Sequence, residues 1–410
     1  MIEKITLDNG LRVLMEQIPF VRSCTLGIWI HAGSRFETPH NNGVSHFLEH
    51  MFFKGTSSRT AQELAWQMDL IGGQSNAFTA KECTCFHAKC LDEHMPEAFD
   101  ILSDMYHNSL FRPQDIEMEK GIIREEISMY EDSPEDLCID TLHENMWSDS
   151  SLSLPILGTE DTLEKLNREE LDRYRTSHYT PQNTVISIAG KFDRERLLEL
   201  IQRDFGADSN AVCADVQTRP VYTPGTLYKA KDIEQNHIAL GFEGVDVNDP
   251  DVYSISVLAN ILGGSMSSRL FQEVREKRGL AYSVYAFTTS YQDAGAFTIY
   301  AGLNPDSQRD AVEVICQQID DVVAHGITEE EFCRGREQIK ANLIMGYESV
   351  SGRMSAMARG EMFRGNIPSL DETIARMDAL TMEDIHRTAR RVLQLDRMSQ
   401  CVVGDLSNLK

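Results

Sequence analysis

The chain has 410 residues, of which 41% are hydrophobic, and its formal net charge at pH 7 is -25. This length exceeds what one ordinary hydrophobic core holds, so it predicts two domains of about 200 residues each. The negative charge argues against nucleic acid and anionic membranes as partners and favours neutral or basic ligands. The alternative is that the charge serves only solubility.

The first residues predict a β-hairpin. Residues 1–16 alternate like a strand, turn at Asp8-Asn9-Gly10 and return, which is not the pattern of a signal peptide. No apolar stretch reaches the roughly 18 to 20 residues that a membrane span needs. The nine cysteines are irregularly spaced and odd in number, which indicates reduced thiols. We therefore expect a cytoplasmic protein without a membrane partner.

The same order of predicted elements occurs twice along the chain. Residues 208–227 contain two prolines and lack helical periodicity, which is typical of a linker. On either side a strand, a helix, a second strand region and two acidic amphipathic helices follow one another. We therefore predict two homologous α+β domains, over residues 1–210 and 226–410, with a linker over 211–225.

The segment "GVSHFLEHMFFKG", residues 43–55, predicts an apolar helix that carries His46, Glu49 and His50. Residues four apart on a helix differ by about 40° in direction and about 6 Å in height, so both histidines can bind one ion. Glu49 lies on an adjacent flank. Two imidazoles and a carboxylate suit zinc, and the carboxylate can act as a base instead of a ligand. The alternative is that the histidines satisfy polar contacts in a core.

The second copy of this helix lacks the three polar residues. When Gly55 is aligned with Gly264, the positions of the trio are occupied by Ile255, Leu258 and Ala259. The C-terminal repeat therefore contains the helix but not the candidate metal-binding residues, and we expect a metal only in the N-terminal domain.

A catalytic zinc ion usually has three protein ligands, so a further carboxylate or histidine is expected elsewhere. Residues 115–136 predict a helix on which Glu119 and Glu126, seven residues apart, share one face. Glu125 points about 100° away and is expected to be solvated. The alternative for the whole acidic run is a solvent-exposed face.

These motifs resemble those of the pitrilysin/insulinase family of zinc metallopeptidases, the inverzincins, above all the mitochondrial processing peptidase β-subunit and its bacterial homologues. The similarity covers essentially the whole chain. A glutamate follows the His-x-x-Glu-His motif in that family, and Glu126 stands at its position. The resemblance implies one zinc ion per chain, held by His46, His50 and Glu126. It also implies that Glu49 is the general base and that Glu119 supports the ligands.

Two further segments match signatures of the same family. In residues 72–90, which predict a Gly-Gly turn and a strand, the resemblance implies that Asn76 and Ala77 bind the substrate backbone. The alternative is an edge strand with nothing added to it. In the second half, the resemblance implies that Arg275 and Tyr282 bind the peptide carbonyl and the developing oxyanion.

The resemblance implies two mainly antiparallel sheets flanked by helices, in domains that close like a clam around an extended peptide. It implies a zinc endopeptidase acting on extended or unstructured peptides, with leader or presequence processing and general peptide clearance as open alternatives. A non-catalytic peptide-binding or assembly subunit is the rival, although such family members lose zinc ligands that this chain keeps. Because the zinc motif and the arginine-tyrosine pair stand in one chain, we expect a homodimer, with a heterodimer of homologous chains as the alternative.

Overall fold

The computed structural model of the protein describes residues 2–208 and 218–407. The chain forms two compact units, and each unit draws on both halves of the sequence. The first unit comprises Met1–Ile127, Leu154–Gln217 and Gly346–Ile367, and the second comprises Ser128–Ser153, Thr218–Met345 and Pro368–Lys410.

The regular elements of the described residues are named here in chain order. The strands are β1 Ile2–Thr6, β2 Arg12–Gln17, β3 Ser23–Ile30, β4 Gln74–Thr79, β5 Thr84–Leu91, β6 Thr184–Gly190, β7 Thr226–Ala230, β8 Asn236–Glu243, β9 Ala281–Ser290, β10 Gly295–Leu303 and β11 Ser399–Gly404. The α-helices are α1 Val44–Phe52, α2 Ala61–Leu70, α3 Met95–Asn108, α4 Pro113–Glu131, α5 Pro134–Met146, α6 Glu160–Lys165, α7 Arg168–His178, α8 Arg194–Phe205, α9 Val252–Gly263, α10 Gln308–His325, α11 Glu329–Glu348, α12 Val350–Arg359, α13 Leu370–Asp378 and α14 Met382–Val392. Two segments are π-helical, Phe271–Glu276 and Gly360–Arg364. Short 3-10 turns occur at Ser34–Phe36, Asp92–His94, Ser151–Ser153, Pro181–Asn183, Pro305–Ser307 and Leu395–Arg397.

The two units contain sheets of the same topology. The first sheet has the order β1-β2-β6-β3-β5-β4, and the second has the order β7-β11-β8-β10-β9. In each sheet one parallel pair, β2 with β6 and β7 with β11, is followed by antiparallel pairs. The prediction of two homologous α+β domains with mainly antiparallel sheets and flanking helices is confirmed.

The first sheet carries one extra strand, β1, which forms the predicted N-terminal hairpin with β2. The turn closes through a hydrogen bond from the Leu7 amide to the Leu11 carbonyl, and Gly10 takes a φ of +92°. Residues with a side chain rarely adopt such a φ angle, which explains the glycine in the Asp-Asn-Gly turn.

Each sheet has one face covered by a helix from the other half of the sequence. In the first unit α12 packs on β3 and β6, where Met354 and Met357 are buried beside Trp29. In the second unit α5 packs on β8 and β11, where Leu142 and Met146 are buried. Neither unit is therefore one continuous stretch of chain, because residues 128–153 belong to the second unit and residues 346–367 to the first.

Residues 211–217 of the predicted linker, 211–225, lie outside the described residues, and residues 218–225 contain no helix or strand. Within those described ranges, no helix combines the length and the apolar character that crossing a membrane requires.

Candidate metal centre

Helix α1 places His46, Glu49 and His50 next to one another. Its apolar residues, among them Phe47 and Leu48, are fully buried in the core of the first unit. His46 is buried and His50 is partly exposed, and their ring centroids are 4.6 Å apart. The imidazoles of His46 and His50 are therefore one helical turn apart, as predicted.

Helix α4 brings Glu126 to the same place. The Glu126 Oε2 atom lies 3.6 Å from His46 Nε2 and 3.5 Å from His50 Nε2. One ligand atom from each of the three residues lies within 4.8 Å of the others, and among residues 2–208 and 218–407 this is the cluster that could hold a metal ion. The structure thus brings together the three predicted zinc ligands from two helices.

The donor set fits zinc. Two imidazole nitrogens and one carboxylate oxygen match the three protein ligands that catalytic zinc sites use. Burial, and secondly the neighbouring His50, lower the pKa of His46 to about 4, so its imidazole is neutral and able to ligate at neutral pH. Burial acts to lower the pKa of His50, but hydrogen bonds to Glu119 and Glu126 outweigh it and raise the pKa to about 9. These carboxylates therefore favour positive charge at the centre.

Glu119 contacts the Nδ1 side of the His50 ring. Its Oε2 atom lies 3.0 Å from His50 Nδ1, and its side chain is only 1% exposed. Burial acts to raise the pKa of Glu119, but the hydrogen bonds to His50 and Lys54 keep it below its usual value. An ionised carboxylate on Nδ1 orients the ring and would leave Nε2 available to a metal ion. The structure places Glu119 where the predicted supporting role requires it.

Lys54 completes this arrangement, and sequence reasoning missed it. Its Nζ atom lies 2.5 Å from Glu119 Oε1. The available signal was its position as the first basic residue after the His-x-x-Glu-His motif, four residues beyond His50. His50, Glu119 and Lys54 thus form a chain of alternating partners that leads away from the metal centre.

Glu49 points toward strand β4. Thr79 Oγ1 donates a hydrogen bond of 2.5 Å to Glu49 Oε2. Burial raises the pKa of Glu49, although the bond from Thr79 acts in the opposite direction. A carboxylate with a raised pKa, held in one orientation, is suited to accept a proton and to donate it again.

Strand β4, which also contains Asn76 and Ala77, is the edge strand of the first sheet beside β5. Asn76 is exposed, and its Oδ1 atom accepts a hydrogen bond of 2.9 Å from the Ala77 amide. Since Thr79 of this strand contacts Glu49, the edge lies next to the metal centre. Glu125, the predicted solvated neighbour of Glu126, is exposed.

Arg275 and Tyr282 lie together in the second unit. The Arg275 guanidinium carbon is 5.3 Å from the centroid of the Tyr282 ring and 4.8 Å from that of Phe271. Tyr282 is 73% exposed. Stacking on two rings restricts the guanidinium, and Phe271 is a contact that sequence reasoning missed. The predicted role of this pair toward substrate stays a prediction.

The fold and the metal centre define a class: a two-sheet α+β metallopeptidase with an inverted His-x-x-Glu-His zinc motif. Residues 12–160 match the model of Insulinase (Peptidase family M16), and residues 165–339 match that of the Peptidase M16 inactive domain. The chain belongs to this family of peptidases. It is similar to the uncharacterized zinc protease YmxG of Bacillus subtilis, with 43% identity over 97% of each chain. Family and relative together make the chain a metalloprotease.

Solved structures match the fold over nearly the full length. The structure of a peptidase M16 inactive domain from Pseudomonas fluorescens has a TM-score of 0.92 at 18% identity and covers 98% of each chain. A chain of Complex III2 from Candida albicans has a TM-score of 0.88 at 21% identity, covering 100% of this chain and 97% of the other. At these identities the matches show the fold alone.

Proposed function

We propose that this chain is a zinc-dependent endopeptidase that cleaves extended or unstructured peptides through attack by an activated water molecule. The observation that carries the proposal is the convergence of His46, His50 and Glu126, with ligand atoms within 4.8 Å of one another, beside the carboxylate of Glu49. This donor set belongs to catalytic zinc sites that leave one position open for water and substrate.

A zinc ion held by His46, His50 and Glu126 would supply a Lewis acid that activates water and polarises the peptide carbonyl. The Glu49 carboxylate accepts the proton that the attacking water loses. It then delivers this proton to the amine nitrogen as the C–N bond breaks, so no covalent enzyme intermediate is required. The hydrogen bond from Thr79 holds the Glu49 carboxylate in one orientation during both transfers.

The open edge of β4 supports the proposed substrate class. A peptide that adds to a sheet edge is bound mainly through its main chain, so extended segments of varied sequence are accepted and folded proteins are not. We assign main-chain binding to Asn76 and Ala77, which lie three and two residues before Thr79 on the strand that reaches Glu49. Arg275 and Tyr282 are assigned to the substrate carbonyl and the developing oxyanion.

The presence of both residue sets in one chain supports autonomous activity. The zinc ligands and the arginine-tyrosine pair all occur in this polypeptide, so a homodimer would contain two complete sites. A heterodimer with a homologous chain is chemically unnecessary, and a cytoplasmic location stays a prediction. Leader or presequence processing and general peptide clearance both agree with an extended substrate.

The rival function is a non-catalytic peptide-binding or assembly subunit of the same fold. The retained His46, His50 and Glu126 argue against it, because a scaffold has no need of metal ligands. Measuring zinc in the purified protein separates the two proposals, since a scaffold should contain none in stoichiometric amount.

The decisive assay incubates the zinc-loaded, purified chain with a varied library of unstructured peptides and identifies the products by mass spectrometry. We expect internal cleavage by the protein alone, and none by the Glu49→Gln variant. The cleavage positions distinguish a defined presequence-like preference from general clearance. Inactivity that only a second homologous chain relieves would contradict autonomous function.

A further inference from the structure

The helix that presents the metal ligands begins without a cap of its own. Gly43 precedes α1 with a φ of +93° and has no side chain to accept hydrogen bonds from the first turn. The first amides of a helix have no partner within the helix, so a buried helix start requires an acceptor from elsewhere.

Glu37 supplies this acceptor. Its Oε2 atom accepts hydrogen bonds from the Gly43 amide at 2.7 Å and from Asn42 Nδ2 at 2.8 Å, and its Oε1 atom accepts one from the Ser45 amide at 2.8 Å. The Glu37 side chain is buried. Burial holds the pKa of Glu37 above its usual value, although the hydrogen bonds from Ser45, Gly43 and Asn42 act to lower it. Three donors on two oxygens suit the ionised carboxylate.

The charge of Glu37 bears on the metal centre through the helix dipole. His46 is the third residue of α1 and therefore lies in its first turn. The N-terminus of a helix carries a partial positive charge of about half an electron, which opposes the binding of a divalent cation nearby. A carboxylate at the helix start offsets this charge, and its bonds to the backbone also fix the direction in which the first turn points.

We propose that Glu37 is a positioning residue of the metal centre, which raises its affinity for Zn²⁺ by anchoring the first turn of α1 and neutralising the positive charge there. The proposal rests on the zinc site of the proposed function. The corresponding helix α9 starts differently: its first residue is preceded by Asp251, which caps no amide and pairs with Arg387 and Arg391 at 2.7 and 3.0 Å.

The test compares the zinc affinity of full-length wild type and Glu37→Gln by competition with a chromophoric chelator at neutral pH. Glutamine keeps the shape and one acceptor but loses the charge, so we expect the Kd for Zn²⁺ to rise roughly tenfold. When Co²⁺ is bound in place of zinc, the visible spectrum of Glu37→Gln should differ from that of the wild type. This spectrum reports ligand geometry without any activity assay. Glu37→Asp keeps the charge and should recover part of the affinity.

Glu361→Gln is the matched control. Glu361 is a buried carboxylate of the same unit, 2.7 Å from Lys4 and 3.6 Å from Arg12, and it contacts none of the metal ligands. We expect this variant to lower the melting temperature while it leaves the zinc Kd unchanged. An equal loss of zinc affinity in both variants would reduce the role of Glu37 to general stability and overturn the proposal.

Unchanged zinc affinity in Glu37→Gln would overturn the proposal as well, whatever happens to the melting temperature. If Glu37→Gln fails to fold, Asn42→Ala decides, because it removes one hydrogen bond to the same carboxylate, together with the bond of 2.8 Å that Asn42 Nδ2 donates to the Pro155 carbonyl. It should raise the Kd for Zn²⁺ about threefold, and an unchanged Kd would again reject the role. Wild-type protein that binds no zinc at all would instead refute the proposed peptidase function.

Discussion

Helices α1 and α9 occupy equivalent positions in the two units, yet only α1 has the residues of a candidate metal centre. Each helix follows the corresponding strand, β3 or β8, and contributes apolar residues to the core of its unit. On α9 the equivalents of the trio, Ile255, Leu258 and Ala259, are all buried. The same helix position therefore accepts apolar residues in one unit and two histidines and a glutamate in the other.

The neighbouring helices differ in the same way. Glu119 is the seventh residue of α4 and faces His50, whereas the seventh residue of α11 is Gly335. A Cβ atom on Gly335 would lie 2.7 Å from the Ile261 side chain of α9. Close contact between α11 and α9 thus takes the place of the carboxylate and imidazole pairs. In the second unit this helix pair is in close apolar contact, whereas in the first unit it brings the Glu119 carboxylate to the His50 imidazole.

The largest expected effect is the loss of turnover in Glu49→Gln. The substitution removes the base and no metal ligand, so kcat should fall by at least about 100-fold while zinc content stays stoichiometric. Peptide hydrolysis and elemental analysis of the same sample measure both quantities. If zinc disappears together with activity, Glu49 has a role in metal binding and the assignment as a base is wrong.

Introducing the polar residue into α9 should instead damage the fold. Leu258→Glu would bury a carboxylate in a closed core, and we expect the free energy of unfolding to fall by about 3 kcal/mol or more. The reverse change, Glu49→Leu, should leave stability unchanged or slightly higher, because burial of the Glu49 carboxylate is already unfavourable. Urea denaturation of both variants tests this asymmetry. Equal destabilisation would mean that Glu49 also serves the fold.

Removing the third ligand should weaken metal binding selectively. Glu126→Gln takes away a charged ligand, so the Kd for Zn²⁺ should rise at least about tenfold. Glu125→Gln is the matched control, since it removes the same charge from the exposed side of α4. Titration with a zinc chelator compares the two, and a similar loss in both would show that only the net charge of the helix matters.

Tyr282→Phe probes the second unit. The hydroxyl is proposed to donate to the oxyanion, so its removal should lower kcat/KM by about tenfold or more. Zinc content and melting temperature should not change, because the side chain is largely exposed and far in sequence from the ligands. Steady-state kinetics with wild-type activity would restrict the function of Tyr282 to its contact with Arg275.

The smallest expected effect concerns the net charge of -25. Peptides with Lys or Arg near the cleaved bond should be preferred, and this preference should decrease as salt screens the attraction. The measurement is kcat/KM at increasing ionic strength for a basic peptide and a neutral one of equal length. If kcat/KM is independent of ionic strength for both the basic and the neutral peptide, the charge serves only solubility.

Local sequence predicted the repeated fold and the candidate residues for a metal site, and the resemblance to the insulinase family singled out Glu126 as the third ligand. The spacing of His46 and His50 by one helical turn, and of Glu119 and Glu126 by two, sets which side chains share a face, because helix geometry is the same in any context. The alternating and helical patterns likewise predicted two α+β halves, since each pattern reports the period with which side chains are buried.

Only the tertiary structure decided which distant groups meet. Lys54 on Glu119 and Glu37 at the start of α1 are contacts whose partners lie on separate elements, and no periodicity in the sequence specifies them. The same holds for α5 and α12, whose apolar faces predict burial but not the sheet that covers them. Hydrophobic burial is non-directional, so the choice of partner depends on the shape of the assembled core.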